Sequence, residues 1–336
     1  VKIGVTMSVP RQRKAANKSD SPVGEELEGK SAKKYSLYET EDGMFRGSYS
    51  EVVEYERVHI ARKSVFERVA MINVTESDHF NGVVTVAACI VCITLCAELW
   101  SSTAYGKFGK TASLATVDPR FGWWLMELPV TLTFLYFFFF KGGPQSQKLV
   151  PRICAANFCF HYSYRGWLFP FLIRSHASSK FSLVPALFGS LVTVTHGYLN
   201  AKWLSTHGTH LADTRNWLRN PRFLGGAALY VGGFSLLVWH DHILRTLRDP
   251  NDPPDAPRYA IPHGGLFEYA TCPQYLCELI TFTGMALLSC GPNGAFIVAI
   301  SVVNLVPRAV QTSQWYHENF GDAYPAERKH LVPFLF

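Results

Sequence analysis

Glu127 stands inside the run FGWWLMELPVTLTFLYFFFF, residues 121–140, two positions before Pro129. A charged side chain at mid-bilayer costs about 2.5–3.5 kcal/mol, so such a residue faces a bundle interior or a wet cavity rather than lipid. The same oddity recurs along the chain: His161 with Arg165, then Asp241 with Arg245 and Arg248, then Glu278, then Arg308. These residues come from at least five apolar segments, and one shared polar cavity is the simplest arrangement that accommodates all of them. In FCFHYSYRGWLFPFLIR, residues His161, Arg165 and Phe169 recur every four positions and share one helix face, with Tyr162 on the adjacent stripe. A cation beside a histidine points to an anionic ligand such as phosphate. An aromatic packing face with one hydrogen-bonded histidine would have the same spacing. Asp241, Arg245 and Arg248 follow at i, i+4 and i+7, which also places them on one helical face, and arginine pairs phosphate oxygens bidentately.

The elements that must position these residues follow from composition. Of the 336 residues, 48% are hydrophobic, 14% aromatic and only 17% charged. Soluble domains carry about 25% charged residues. Residues 1–79 are rich in Lys, Arg, Glu and Ser and read as a polar, partly disordered extension, with an amphipathic surface helix at 51–72. Residues 80–336 form the membrane domain. A spanning helix needs about 20 apolar residues. Seven segments qualify, at 81–104, 121–140, 150–173, 182–201, 222–240, 275–291 and 294–312. The fold class predicted is an all-α integral membrane bundle of seven transmembrane helices. Loop charges leave its orientation open. Arg152 and Arg222, near helix ends, read as snorkelling side chains.

Other chemistry is thinly represented. A formal net charge of +6, with basic residues beside apolar runs, suits lipid headgroups and membrane lipids rather than nucleic acid. The eight cysteines, among them Cys89, Cys92 and Cys96 in one apolar run, read as small buried hydrophobes and not as a disulfide framework. His240 and His242 lack the partners a metal site would need, so no metal is expected. Gly264-Gly265 permits close backbone approach to a ligand, but there is neither a dinucleotide-fold glycine fingerprint nor a P-loop.

MELP (126–129), HYSYR (161–165), HDHILRTLR (240–248), YAIPHGGLFEY (259–269), PQYLCE (273–278) and AYPAERKHLVPFLF (323–336) occur in an order and with gaps that resemble the steroid 5α-reductase family. The likeness spans residues 80–336. It implies a seven-helix reductase of the endoplasmic reticulum that uses NADPH to reduce a carbon–carbon double bond conjugated to a carbonyl. A small steroid or lipid is the partner. By this resemblance Glu127 and Tyr162 hold the substrate's carbonyl oxygen. Cofactor contacts fall on Tyr105, Arg165, Asp241, Arg245, Arg248, Tyr259, Gln274, Glu278, Arg308 and Tyr316. Negative charge developing on that oxygen would be met by two donors. A carboxyl donates only when protonated, the form an apolar surround favours. Pro129 would free a backbone carbonyl.

The chain departs from the family pattern at Met126, where the family has Gln, and at Ile173, His176, Leu237, Trp239 and Gln311-Thr312-Ser313. ATCPQYLCE also resembles trans-2-enoyl-CoA reductases and polyprenol reductases, whereas MELP is steroid-reductase-like. A membrane methyltransferase of prenylated cysteine shares the C-terminal layout but has no MELP counterpart. A transporter would be expected to show inverted repeats, and none is visible.

Overall fold

Proline and short polar caps set where the apolar runs begin to wind. The computed structural model describes residues 36–40, 43–47, 72, 74–100, 115–175, 179–249, 253 and 259–336. Its long helices are α1 (Asp78–Trp100), α2 (Pro119–Leu135), α3 (Leu149–Tyr162), α4 (Leu183–Lys202), α5 (Pro221–Thr246), α6 (Pro273–Ser289) and α7 (Pro292–Phe320). Helices α2, α5, α6 and α7 open on proline, which is tolerated there because the first-turn N–H has no helical partner anyway. The Asp118 and Asn220 side chains accept the N–H groups of Arg120 and Arg222 at 2.8 and 2.9 Å, capping α2 and α5.

Each of the seven segments expected to span is largely helical over its described residues. Four helices are long and apolar enough to cross a membrane on length and composition: Asp78–Trp100, Pro119–Phe140, Pro221–Thr246 and Pro292–Ala323. The other three differ for visible reasons. After α3 a π-helical turn, Ser163–Leu168, intervenes before the single turn Phe169–Leu172. Helix α4 carries His196, Asn200 and Lys202, and α6 has 17 residues. Large side chains such as Leu132, Val184, Leu187 and Val231 remain exposed on outer faces, as a hydrocarbon surround permits. Cys89, Cys92 and Cys96 are exposed on α1 rather than buried, which corrects the reading of them as core residues.

Helix packing relies on glycine. A Cβ added to Gly284 of α6 would lie 2.5 Å from the Tyr230 nitrogen of α5, and one on Gly233 would lie 2.8 Å from the Thr281 nitrogen. The α5–α6 backbones therefore touch, the packing that small residues allow in membranes. Helices α2 and α4 are equally close at Gly197, where a Cβ would lie 2.6 Å from the Val130 oxygen. Phe134 of α2 stacks on Phe158 of α3 at 4.3 Å in the buried centre.

Residues 1–71 form a compact unit separate from 72–336. Within it β1 (Ser36–Thr40) pairs antiparallel with β2 (Gly43–Gly47), with Tyr38 opposite Phe45. The expectation of a polar, partly disordered extension did not name this hairpin, whose signal is the short span between two runs of strand-forming residues. The surface helix expected at 51–72 lies outside the described residues, apart from Ile72. In the larger unit, β3 (Thr116–Val117) pairs with β4 (Phe181–Ser182) and ties the start of α2 to the start of α4.

Candidate active site

The π-helical turn after α3 buries Arg165 and Gly166. Arg165 Nη1 donates to Asp241 Oδ2 of α5 at 3.0 Å, and Nη2 donates to Glu278 Oε2 of α6 at 3.4 Å. Its guanidinium lies over Phe169 at 4.7 Å and near Trp123 at 5.7 Å. One cation thus joins three helical segments through two acids, and aromatic faces shield it from water.

Glu127 is a third carboxyl in this neighbourhood. It is partly buried, and a Cβ on Gly166 would lie 3.4 Å from the Glu127 Cβ, so the arginine-bearing turn packs directly against it. Arg165 and Glu278 lie within electrostatic reach of Glu127, and Glu127 lies within reach of buried Tyr162. Tyr162 packs on Phe158 at 4.7 Å and on His196 at 5.7 Å. Pro129 acts as expected on the backbone. The Leu125 carbonyl, four residues earlier, has no N–H from residue 129 and instead lies 3.2 Å from Ser190 Oγ.

Beside this cluster is a cavity of ≈ 330 Å³. Trp123, Lys180, Arg248, Gln274, Arg308 and Tyr316 are among its lining residues, and no carboxylate is among the described ones. Arg248 lies over the Tyr259 ring at 5.5 Å and donates to the Arg174 carbonyl at 2.9 Å. The Tyr316 hydroxyl donates to the Ala260 carbonyl at 3.4 Å. Three cations, several hydroxyl groups, the Gln274 amide and five aromatic rings form a lining that fits a phosphate-bearing dinucleotide.

The residues named from sequence are divided between these two places. Arg248, Tyr259, Gln274, Arg308 and Tyr316 line the cavity. Arg165, Asp241 and Glu278 form the ion cluster, close to Glu127 and Tyr162. Tyr105 lies outside the described residues. Two spacing arguments need correction. Asp241, Arg245 and Arg248 do not serve one face, because α5 ends at Thr246 and Arg248 lies beyond it. Asp241 pairs with Arg165, Arg245 donates to His242 Nδ1 at 2.7 Å, and Arg248 reaches the cavity. His161 and Arg165 do not form an anion face either. His161 is fully enclosed by Tyr162, Tyr230, Phe234 and Phe282, the aromatic packing face of the alternative, but among the described residues neither of its ring nitrogens has the hydrogen bond that alternative supposed.

Two contributors escaped the sequence reading. Trp123 lines the cavity and approaches Arg165. Its position four residues before Glu127, on the same helix face, was a usable signal. His240 holds the glycine loop in place. Its Nδ1 donates to the Leu236 carbonyl at 2.7 Å and its Nε2 accepts the Leu266 N–H at 3.0 Å. Gly264 and Gly265 have φ of +94° and +57°, conformations that side chains resist. Glu268 Oε1 accepts the Gly264 N–H at 2.5 Å, and this bond holds the Glu268 carboxyl below the usual carboxylate range.

Comparison with known proteins gives a consistent result. The family model described as 3-oxo-5-alpha-steroid 4-dehydrogenase matches residues 179–336. A rat protein named 3-oxo-5-alpha-steroid 4-dehydrogenase 1 is 35% identical over 69% of this chain and 85% of its own length. The human protein of the same name is 33% identical over 73% of this chain and 91% of its own length. A steroid 5-alpha-reductase from Solanum lycopersicum is 30% identical over 70% of this chain and 88% of its own length.

Proposed function

Since the chain belongs to the 3-oxo-5-alpha-steroid 4-dehydrogenase family of oxidoreductases, we propose that it reduces the Δ4 double bond of a 3-oxosteroid at the expense of NADPH. The observation that carries this reading is the position of Glu127. It packs on Gly166, within electrostatic reach of Tyr162 and Arg165, on the same helix as Trp123, which lines the cation-bearing cavity. The steroid preference over an enoyl-CoA or a polyprenol rests on the relatives, which are named as steroid reductases.

NADPH supplies the hydride when bound. Lys180, Arg248 and Arg308 would meet its phosphates, with Tyr259, Gln274 and Tyr316 completing the cradle. Arg165 is engaged by Asp241 and Glu278, so its part is to orient these acids and the turn that packs on Glu127. Hydride addition at the far end of an enone drives negative charge onto the carbonyl oxygen. Glu127, as a neutral carboxyl, and Tyr162 donate to that oxygen. One such donor is typically worth about 10²–10³ in rate. Protonation of the resulting enolate at carbon completes the reduction. Seven membrane crossings and residence in the endoplasmic reticulum belong to the same reading, supported by the seven helical segments and by the family.

The test uses membranes containing the full chain, with NADPH and, in parallel, a Δ4-3-oxosteroid, a long-chain trans-2-enoyl-CoA and a polyprenol. Products are identified by mass spectrometry. The steroid should be turned over, and Glu127→Gln should lower kcat by about 10²–10³ while leaving thermal stability nearly unchanged. Turnover of only the enoyl-CoA or the polyprenol would reject the steroid assignment. Full turnover by Glu127→Gln would reject the role of the carboxyl.

A further inference from the structure

Helix α4 presents Gly189, Ser190, Thr193 and Gly197 to the part of α2 that carries Glu127. Within a regular helix the Leu125 carbonyl would accept the N–H of residue 129, which proline lacks. Ser190 Oγ lies 3.2 Å from that oxygen, with the Ala186 carbonyl of its own helix at 2.9 Å as its alternative acceptor. A hydroxyl has one proton. The Ala186 carbonyl already lies within a regular helical turn, whereas the Leu125 carbonyl has lost its helical donor. The proton is therefore worth more on Leu125.

One residue further on, Thr193 Oγ1 lies 2.9 Å from the Met126 carbonyl. The Met126 side chain fills the notch left by Gly189, where a Cβ would lie 2.4 Å from its Cγ and 2.5 Å from its Sδ. On the far side of Glu127, Gly197 lets α4 approach the Val130 carbonyl. Leu125 and Met126 are thus each hydrogen-bonded from α4 and Val130 is packed against it, with Glu127 between them.

We propose that Ser190 and Thr193 are positioning residues: the Ser190 hydroxyl replaces the donor removed by Pro129, the Thr193 hydroxyl adds a bond to the neighbouring Met126 carbonyl, and together they fix the turn that aims the Glu127 carboxyl. This inference rests on Glu127 acting as the carbonyl-polarising acid. A turn weakened by proline can swing, and a misplacement of about 1 Å at a reacting group can cost about 10²-fold in rate.

The experiment compares wild type, Ser190→Ala, Thr193→Val, the double variant, Pro129→Ala, Ser190→Ala/Pro129→Ala and Glu127→Gln as full-length purified proteins. It reads kcat and KM for a Δ4-3-oxosteroid and for NADPH, together with the thermal midpoint. Ser190→Ala/Thr193→Val should lower kcat about tenfold with KM for NADPH unchanged. Pro129→Ala restores an N–H to the Leu125 carbonyl, so the Ser190→Ala/Pro129→Ala variant should regain kcat relative to Ser190→Ala. If the double hydroxyl variant does not fold, Ser190→Ala and its rescue carry the test. An unchanged kcat without the hydroxyls, or a Ser190→Ala defect that Pro129→Ala does not relieve, overturns the positioning role if Glu127→Gln is impaired. If Glu127→Gln keeps full turnover, the reading beneath the inference fails instead.

Discussion

Arg165 and Arg328 are both buried, both face an aromatic ring and both lie near acids, yet they are held in different ways. Arg165 makes direct hydrogen bonds to two carboxylates on two other helices, at 3.0 and 3.4 Å. Arg328, near the C-terminal end, donates to the Pro262 carbonyl at 2.9 Å and approaches His263 Nδ1 at 3.3 Å. Its acid, Glu268, is 3.6 Å away and half-exposed, and its aromatic neighbour is Tyr324 at 5.5 Å. The first arginine neutralises two acids inside the bundle. The second fastens a loop that water can solvate once the fastening is lost. Burial of the cation alone therefore says little about its energetic weight, which depends on what remains buried when the cation is removed.

The comparison can be broken by substitution. Arg165→Met leaves Asp241 and Glu278 without the cation that hydrogen-bonds both, and should cost about 3–5 kcal/mol. The readout is thermal unfolding in detergent, together with folded yield. Asp241→Asn should cost less, because Glu278 still pairs with the arginine. Equal losses from the two would mean that Asp241 and not the arginine dominates the cluster. Arg328→Met should cost about 1–3 kcal/mol, the penalty for a buried carbonyl losing its donor. A loss matching that of Arg165→Met would erase the distinction between the two sites. Glu268→Gln should have the smallest effect. Its folded pKa lies below its unfolded value, so its contribution is present above the ordinary carboxylate range and fades as pH falls through the folded value. The difference in thermal midpoint between this variant and wild type should be small near pH 7 and vanish in acid. A difference that grows in acid would contradict the direction of the shift.

The helices were legible because length and apolar character dominate in a membrane, and each of the seven expected segments overlaps one of the seven long helices, although α5 and α7 run on to Thr246 and Phe320. Charges at mid-segment were equally informative, since their cost forces them together, and Arg165 does meet Asp241 and Glu278. Spacing failed where the helix itself changes. The π-helical turn at Ser163–Leu168 separates the surroundings of His161 from those of Arg165, and the end of α5 at Thr246 removes Arg248 from the face of Asp241. Neither feature follows from apolar periodicity. Nor does it reveal the α5–α6 glycine contacts, which depend on the facing helix. The role of Pro129 was half visible: the freed carbonyl could be read from one residue, but its partner Ser190 is 65 positions away.

The ion cluster also bears on how the protein is made. Arg165 precedes Asp241 by 76 residues and Glu278 by 113. During synthesis the arginine exists before either of its acids, and the cluster cannot close until α5 and α6 have been made. The glycine contacts between α5 and α6 let the two acids dock as one preassembled pair. Closure of the cluster therefore depends on α6, the last-made of the three elements that contribute to it.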